Sequence, residues 1–260
     1  MNTANLLEPQ LNACLLGEPS DKAIVFIHGY VKDNFSTWYT AFGLPLAAQA
    51  QVLLYDLRGH GESEVPATGY DLNTHAADLL RLLSNDPGLG QQKVHLVGHS
   101  MGALIALRFA LLHPSRVATL TLVDAPMPAA SYVGPSLLVD PAEFMQLGEL
   151  IAQSSATLGR RERKMMARID RLINHTSLVS DVLKTHEEPP TLLATLDLPV
   201  HLIYGEFSPC FKSSEYLQNH LPQSQLTVLP CGHYVPQEKP SELRHCIGQF
   251  LSLHSNLEFV

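Results

Sequence analysis

Residues 93–113 run KVHLVGHSMGALIALRFALLH, a strand-length run, a glycine-flanked serine and a helix-length run in succession. The stretch opens on a short apolar run, Val94-His95-Leu96-Val97, of strand length. It closes on a longer apolar segment from Ala103 to His113 that ends against Pro114, as a helix does. Between them stands Gly98-His99-Ser100-Met101-Gly102, a G-x-S-x-G turn. A serine on a sharp strand-to-helix turn needs small neighbours two residues to either side, because larger side chains would meet the backbone there. The helix that follows aims its dipole and its free amides at the serine.

Similar runs recur on both sides. Residues 23–28 (AIVFIH), 51–56 (QVLLYD), 118–123 (ATLTLV), 200–204 (VHLIY) and 225–229 (QLTVL) predict further strands, most of them buried. Helical patterns alternate with them. Residues 70–83 place Leu72, Ala76, Leu79, Leu80 and Leu83 on one face, with Asn73 or Thr74 as the expected N-cap. Residues 241–253 predict a closing helix. Strands alternating with helices imply a mostly parallel sheet covered on both faces.

The interval between Val123 and Val200 is too long for one crossover helix. It opens with Pro126, Pro128, Pro135 and Pro141, ends at Pro189-Pro190, and carries helical patterns over 141–152 and 159–173. The expected organisation is therefore a core of residues 1–125 and 191–260 with a helical cap inserted at 126–190. Within the cap, Arg160-Arg161-Glu162-Arg163-Lys164 is read as the solvated face of a helix, with docking of an acidic carrier or substrate as the second reading.

Composition narrows the function classes. A formal net charge of −8 argues against a nucleic-acid partner, which needs a basic face. No apolar run is long enough to span a membrane, and no charged-then-apolar leader opens the chain. The four cysteines, Cys14, Cys210, Cys231 and Cys246, lack metal-ligand or disulfide-framework spacing, so reduced thiols in the cytoplasm are expected. Neither H-E-x-x-H nor a phosphate-binding glycine loop occurs, so no metal or organic cofactor is expected.

A serine hydroxyl is a weak nucleophile and needs a base within reach. His233 is the candidate, in a Gly232-His233-Tyr234 loop after the last strand. His99 is expected to pack beside the site, and His28 and His60 to organise loops. The oxyanion would be held by the amides of Met101 and, from the loop after the first buried strand, Tyr30.

Taken together, Phe26-Ile27-His28-Gly29, Asp56-Leu57-Arg58-Gly59-His60-Gly61-Glu62-Ser63, Gly98-His99-Ser100-Met101-Gly102 and Gly232-His233 resemble the α/β-hydrolase superfamily. The resemblance implies an eight-stranded-type, mostly parallel sheet flanked by helices, with the cap above it. It also implies hydrolysis of a carboxylic ester or thioester through an acyl-enzyme on Ser100, with a small-molecule acyl substrate, free or carrier-bound. Epoxide hydrolases and haloalkane dehalogenases of this superfamily use an aspartate where Ser100 stands, which argues against both. The triad acid usually follows the penultimate strand in Gly-Glu-x-Asp, and here the stretch is Gly205-Glu206-Phe207-Ser208. Asp124, after the strand at 118–123, is the first replacement, as in some thioesterase domains; Glu206 is the second. A serine–histidine dyad, a biosynthetic thioesterase or cyclase, a C–C bond hydrolase and a non-catalytic binding protein on the same fold stay open.

Overall fold

The computed structural model describes residues 8–30, 33–126 and 159–255. Seven strands form one sheet: β1 (Ala13–Leu16), β2 (Ala23–Ile27), β3 (Gln51–Tyr55), β4 (Val94–His99), β5 (Val117–Val123), β6 (Val200–Gly205) and β7 (Ser224–Leu229). Their spatial order is β1-β3-β2-β4-β5-β6-β7, with β1 antiparallel to β3 and every other pair parallel. Among the described residues the sheet thus has seven strands, not the eight of the expected type. The segment ahead of β1 spends its backbone groups on a loop instead: the Gln10 carbonyl accepts from Glu64 N at 3.0 Å, and Asn12 N donates to Ser63 Oγ at 2.8 Å.

The longer helices are α1 (Leu72–Asn85), α2 (Met101–Leu112), α3 (Arg160–Asn174), α4 (Phe211–His220) and α5 (Pro240–His254). A helical stretch over Ser36–Leu46, interrupted by a π turn at Tyr39–Gly43, lies between β2 and β3. The cap of α1 is Asp71, not Asn73 or Thr74: its carboxylate accepts from Thr74 N at 3.0 Å. Aspartate is a better cap because it is charged and reaches the orphan amides of the first turn.

The central strands are apolar on both faces, as parallel strands between two helical layers must be. Along β2, Ala23, Val25 and Ile27 face a core shared with α1 and α2, whereas Ile24 and Phe26 face Trp38, Phe42 and α5. The helix expected at 159–173 is present as α3, while the pattern at 141–152 lies outside the described residues. Helix α3 packs on the loop after β3, with Leu172 against Gly59 and Arg168 donating to the Ser63 carbonyl at 2.8 Å. Arg160, Arg163 and Lys164 of the basic run are exposed, and Lys164 pairs with the equally exposed Glu62 at 2.9 Å. Such a pair contributes little. No helix among the described residues is long and apolar enough to cross a membrane, and all four cysteines are free.

The loop after β3 is tied down by a buried, two-pronged ion pair. Arg58 donates to Asp78 of α1 from Nε at 2.7 Å and from a terminal nitrogen at 2.8 Å. Removing one partner leaves the other charge buried and alone. Asp78→Ala is therefore expected to lower unfolding stability by about 3–5 kcal/mol, read by urea titration. A change under about 1 kcal/mol would contradict this account.

Candidate active site

Strand order places the site. The chain passes from β2 outward to β3 and then back to β4 on the other side, so the direction of winding reverses between β2 and β4. In open parallel sheets, ligands bind at the carboxyl ends of strands beside such a reversal. Gly29 and Tyr30 follow β2 there, and Ser100 follows β4.

Ser100 has φ 54° and ψ −122°, a strained conformation for a residue with a side chain. Close packing forces it. A Cβ on Gly98 would lie 2.2 Å from the Gly102 carbonyl oxygen, and one on Gly102 would lie 2.3 Å from the Ile27 carbonyl oxygen. Only glycine lets the turn approach its neighbours this closely. The Ser100 amide donates to the Val123 carbonyl at 2.9 Å, anchoring the turn to the end of β5.

The same strand end supplies Asp124. Parallel registers set His99 beside Val123 and Val123 beside Ile203, so residues just past β4, β5 and β6 converge. Asp124 adopts φ 48°, a left-handed conformation that Asp tolerates better than most residues. His233 Nε2 lies 3.0 Å from Ser100 Oγ, and its Nδ1 lies 2.6 Å from Asp124 Oδ2. The Asp124 side chain has no exposed surface, and that of His233 is 18% exposed. Oδ1 of Asp124 accepts from Gly205 N at 2.9 Å, and Oδ2 also accepts from the Ser208 hydroxyl. Glu206 is exposed, and among the described residues no hydrogen bond joins its side chain to His233.

Cys210 completes the surroundings, its Sγ 3.5 Å from His233 Nδ1. Burial and the nearby Asp124 charge push this thiol up, so it stays protonated. Asp124, Cys210 and His233 are the only converging trio of metal-ligating side chains among the described residues. The 2.6 Å between Nδ1 and Oδ2 is shorter than the roughly 3.3 Å kept by two ligands about 2.0 Å from one tetrahedral zinc. The geometry is that of a hydrogen bond, with no room for an ion between the atoms.

The other histidines serve as struts. His28 accepts from Leu57 N through Nε2 at 3.0 Å and donates through Nδ1 to the Gly29 carbonyl at 2.6 Å, which defines a neutral ring. Burial lowers its pKa, and burial takes that of His60 down to about 3. His99 donates through Nε2 to the His233 carbonyl at 2.9 Å and faces Asp33 across 3.6 Å. Asp33 in turn accepts from Gly29 N at 3.0 Å. His99 thereby links the loop after β2 to the loop that carries His233. Tyr30 donates through its hydroxyl to the Tyr70 carbonyl at 3.0 Å and contacts His75 Nε2 at 2.5 Å. Met101 opens α2, so its amide has no acceptor within the helix. Sequence reasoning missed Asp33 altogether, and it named Ser208 and Cys210 without their contacts to Asp124 and His233.

A family model described as alpha/beta hydrolase fold matches residues 22–152, half of the chain, and the chain belongs to that family. A Bacillus subtilis protein named "Putative 2-succinyl-6-hydroxy-2,4-cyclohexadiene-1-carboxylate synthase" is 27% identical, over 91% of this chain and 92% of its own. The "Putative carbamate hydrolase RutD" of Stutzerimonas stutzeri is 29% identical, over 78% of this chain and 83% of its own. Among solved structures, Est816, described as an N-acyl homoserine lactone degrading enzyme, superposes with a TM-score of 0.72 at 26% identity, covering 93% of this chain and 97% of that one. These likenesses support an enzyme of the α/β-hydrolase type.

Asp33 generates a pH prediction. Burial raises its carboxyl, but the facing His99 and the Thr37 hydroxyl outweigh that and hold it at about 2. A folded value below the ordinary ~3.9 gives stability that is full above about pH 5 and fades as pH falls toward 2. The stability gap between wild type and Asp33→Asn, read by urea titration, is expected to narrow across that range. A gap that stays constant from pH 5 to 2 would count against this.

Proposed function

We propose that this α/β-hydrolase-family chain is a serine hydrolase that cleaves a carboxylic ester or thioester through an acyl-enzyme on Ser100. The observation that carries the reading is the unbroken hydrogen-bonded line from Ser100 Oγ through His233 to Asp124. In this reading His233 Nε2 takes the Ser100 proton as Oγ attacks the carbonyl carbon. The Met101 and Tyr30 amides receive the oxyanion. Collapse expels the alcohol or thiol, which leaves with the proton from His233. A water then gives its proton to His233 and attacks the acyl-enzyme; collapse releases the acid as His233 returns that proton to Ser100 Oγ. Asp124 holds the imidazole in the required tautomer and offsets its charge when protonated; Glu206, exposed, has no part.

A pocket lies near the site: Leu104, one turn past Ser100, and Pro126, two residues past Asp124, line it with Leu72, Leu107, Leu193 and Leu217, and His186, Glu187, Glu188 and Tyr216 give its wall polar and charged groups. The lactone and carbamate substrates in the relatives' names support attack on an acyl carbonyl. A thioester is the second reading, favoured by an acid after β5, the position that resembles some thioesterase domains. We further propose that residues 126–190 form a cap that limits substrate choice.

The test is steady-state turnover of p-nitrophenyl esters and acyl-CoA thioesters. Ser100→Ala and His233→Ala are expected to lose at least about a thousandfold in kcat, and Asp124→Asn roughly 10³–10⁴-fold. Glu206→Gln is expected to stay within about twofold of wild type. A near-normal rate in Asp124→Asn with a collapse in Glu206→Gln would reverse the assignment of the acid.

A further inference from the structure

We infer that Ser208 is a positioning residue for the Asp124 carboxylate, acting on catalysis only through that carboxylate. The inference rests on the reading of Asp124 as the partner of His233. Ser208 stands where the resemblance leads one to expect the acid, yet it is not an idle replacement. It is buried, at 6% exposure, and its hydroxyl donates to Asp124 Oδ2, the same oxygen that receives the His233 Nδ1 proton.

The direction of that donation is fixed by a third group. Cys210 N donates to Ser208 Oγ at 3.0 Å, which occupies a lone pair and leaves the hydroxyl proton to go to Asp124. The Ser208 backbone is held as well: its amide donates to the Gly205 carbonyl at 3.1 Å, and its carbonyl accepts from Phe211 N at 3.0 Å. Gly205 meanwhile donates to the other carboxylate oxygen, Oδ1, at 2.9 Å. Both oxygens of Asp124 are therefore gripped from the last residue of β6 and the turn that follows it.

The terminal torsion of an aspartate is broad; without Ser208 the Oδ2 end would be held only by the His233 ring that it is meant to orient, and Gly205 alone would hold the carboxylate from outside that pair. With Ser208 donating, Oδ2 faces His233 in a single orientation. Charge explains why a hydroxyl does this work. A carboxylate at position 208 would meet Asp124 at hydrogen-bond distance, and two like charges so close cannot both stay ionised. Once the acid stands just past β5, position 208 needs a neutral donor. Losing that donor also strands the Cys210 amide without a partner in a buried place.

The test is a double-mutant cycle on the hydrolytic rate. Ser208→Ala is expected to lower kcat roughly 10- to 100-fold with KM close to wild type. In an Asp124→Asn background the same substitution is expected to change kcat by less than about twofold, because the carboxylate it serves is gone. Equal losses in the two backgrounds, or no loss in wild type, overturn the inference. If Ser208→Ala does not fold, as judged by its melting transition, Ser208→Thr and Ser208→Val replace it. That pair matches in shape and differs in the hydroxyl. Threonine is expected to keep at least about ten times the rate of valine, and equal rates overturn the inference. Turnover that survives Ser100→Ala would sink the hydrolase reading itself. Turnover that needs Ser100, with additive losses at Ser208 and Asp124, sinks only the role of Ser208.

Discussion

Asp124 brings a carboxylate to a place with no exposed surface, and a buried charge is tolerated only where donors surround it. Gly205, Ser208 and His233 supply those donors, from the ends of two further strands. The rest of the site follows from this cluster. His233 is turned so that its far nitrogen meets Ser100, and the Ser100 turn is itself bonded to the end of β5. Strain at two residues, Ser100 and Asp124, is carried by the same pair of neighbouring strands.

A second chain of contacts runs beside the first. Asp33 holds the Gly29 amide, and His99 spans from Asp33 to the His233 carbonyl. The loop that would bind an oxyanion and the loop that would move the proton are thus coupled through His99, the residue before Ser100. Buried neutral imidazoles at His28, His60 and His75 serve the same end, as hydrogen-bonding struts under the loops after β2 and β3. A protein with thirteen histidines uses only one of them within reach of the serine hydroxyl among the described residues.

Much of this was legible in the sequence, for physical reasons. Buried parallel strands must be continuously apolar, which made β2 through β6 plain. The glycines around Ser100 mark a turn that sterics alone demand. The short edge strand Ala13–Leu16 was not legible, because it is half exposed and lacks a β-branched residue. The helical stretch over Ser36–Leu46 carries Pro45 and a π turn, which blur its period. Asp124 and Glu206 could not be ranked by geometry from the sequence, since the choice depends on which strand ends meet. Register resolves their placement: Val123 lies beside both His99 and Ile203, while the chain at Glu206 turns outward to solvent. Ser208 was read only as an absence of acid, because its role exists in space and has no motif.

Activation of Ser100 as a nucleophile is read by intact-mass spectrometry after exposure to a fluorophosphonate. One phosphonyl adduct per chain is expected, mapped to the peptide that carries Ser100 and lost in both Ser100→Ala and His233→Ala. An adduct that persists in Ser100→Ala, or a wild-type chain that turns over esters yet takes up no adduct at Ser100, would contradict it.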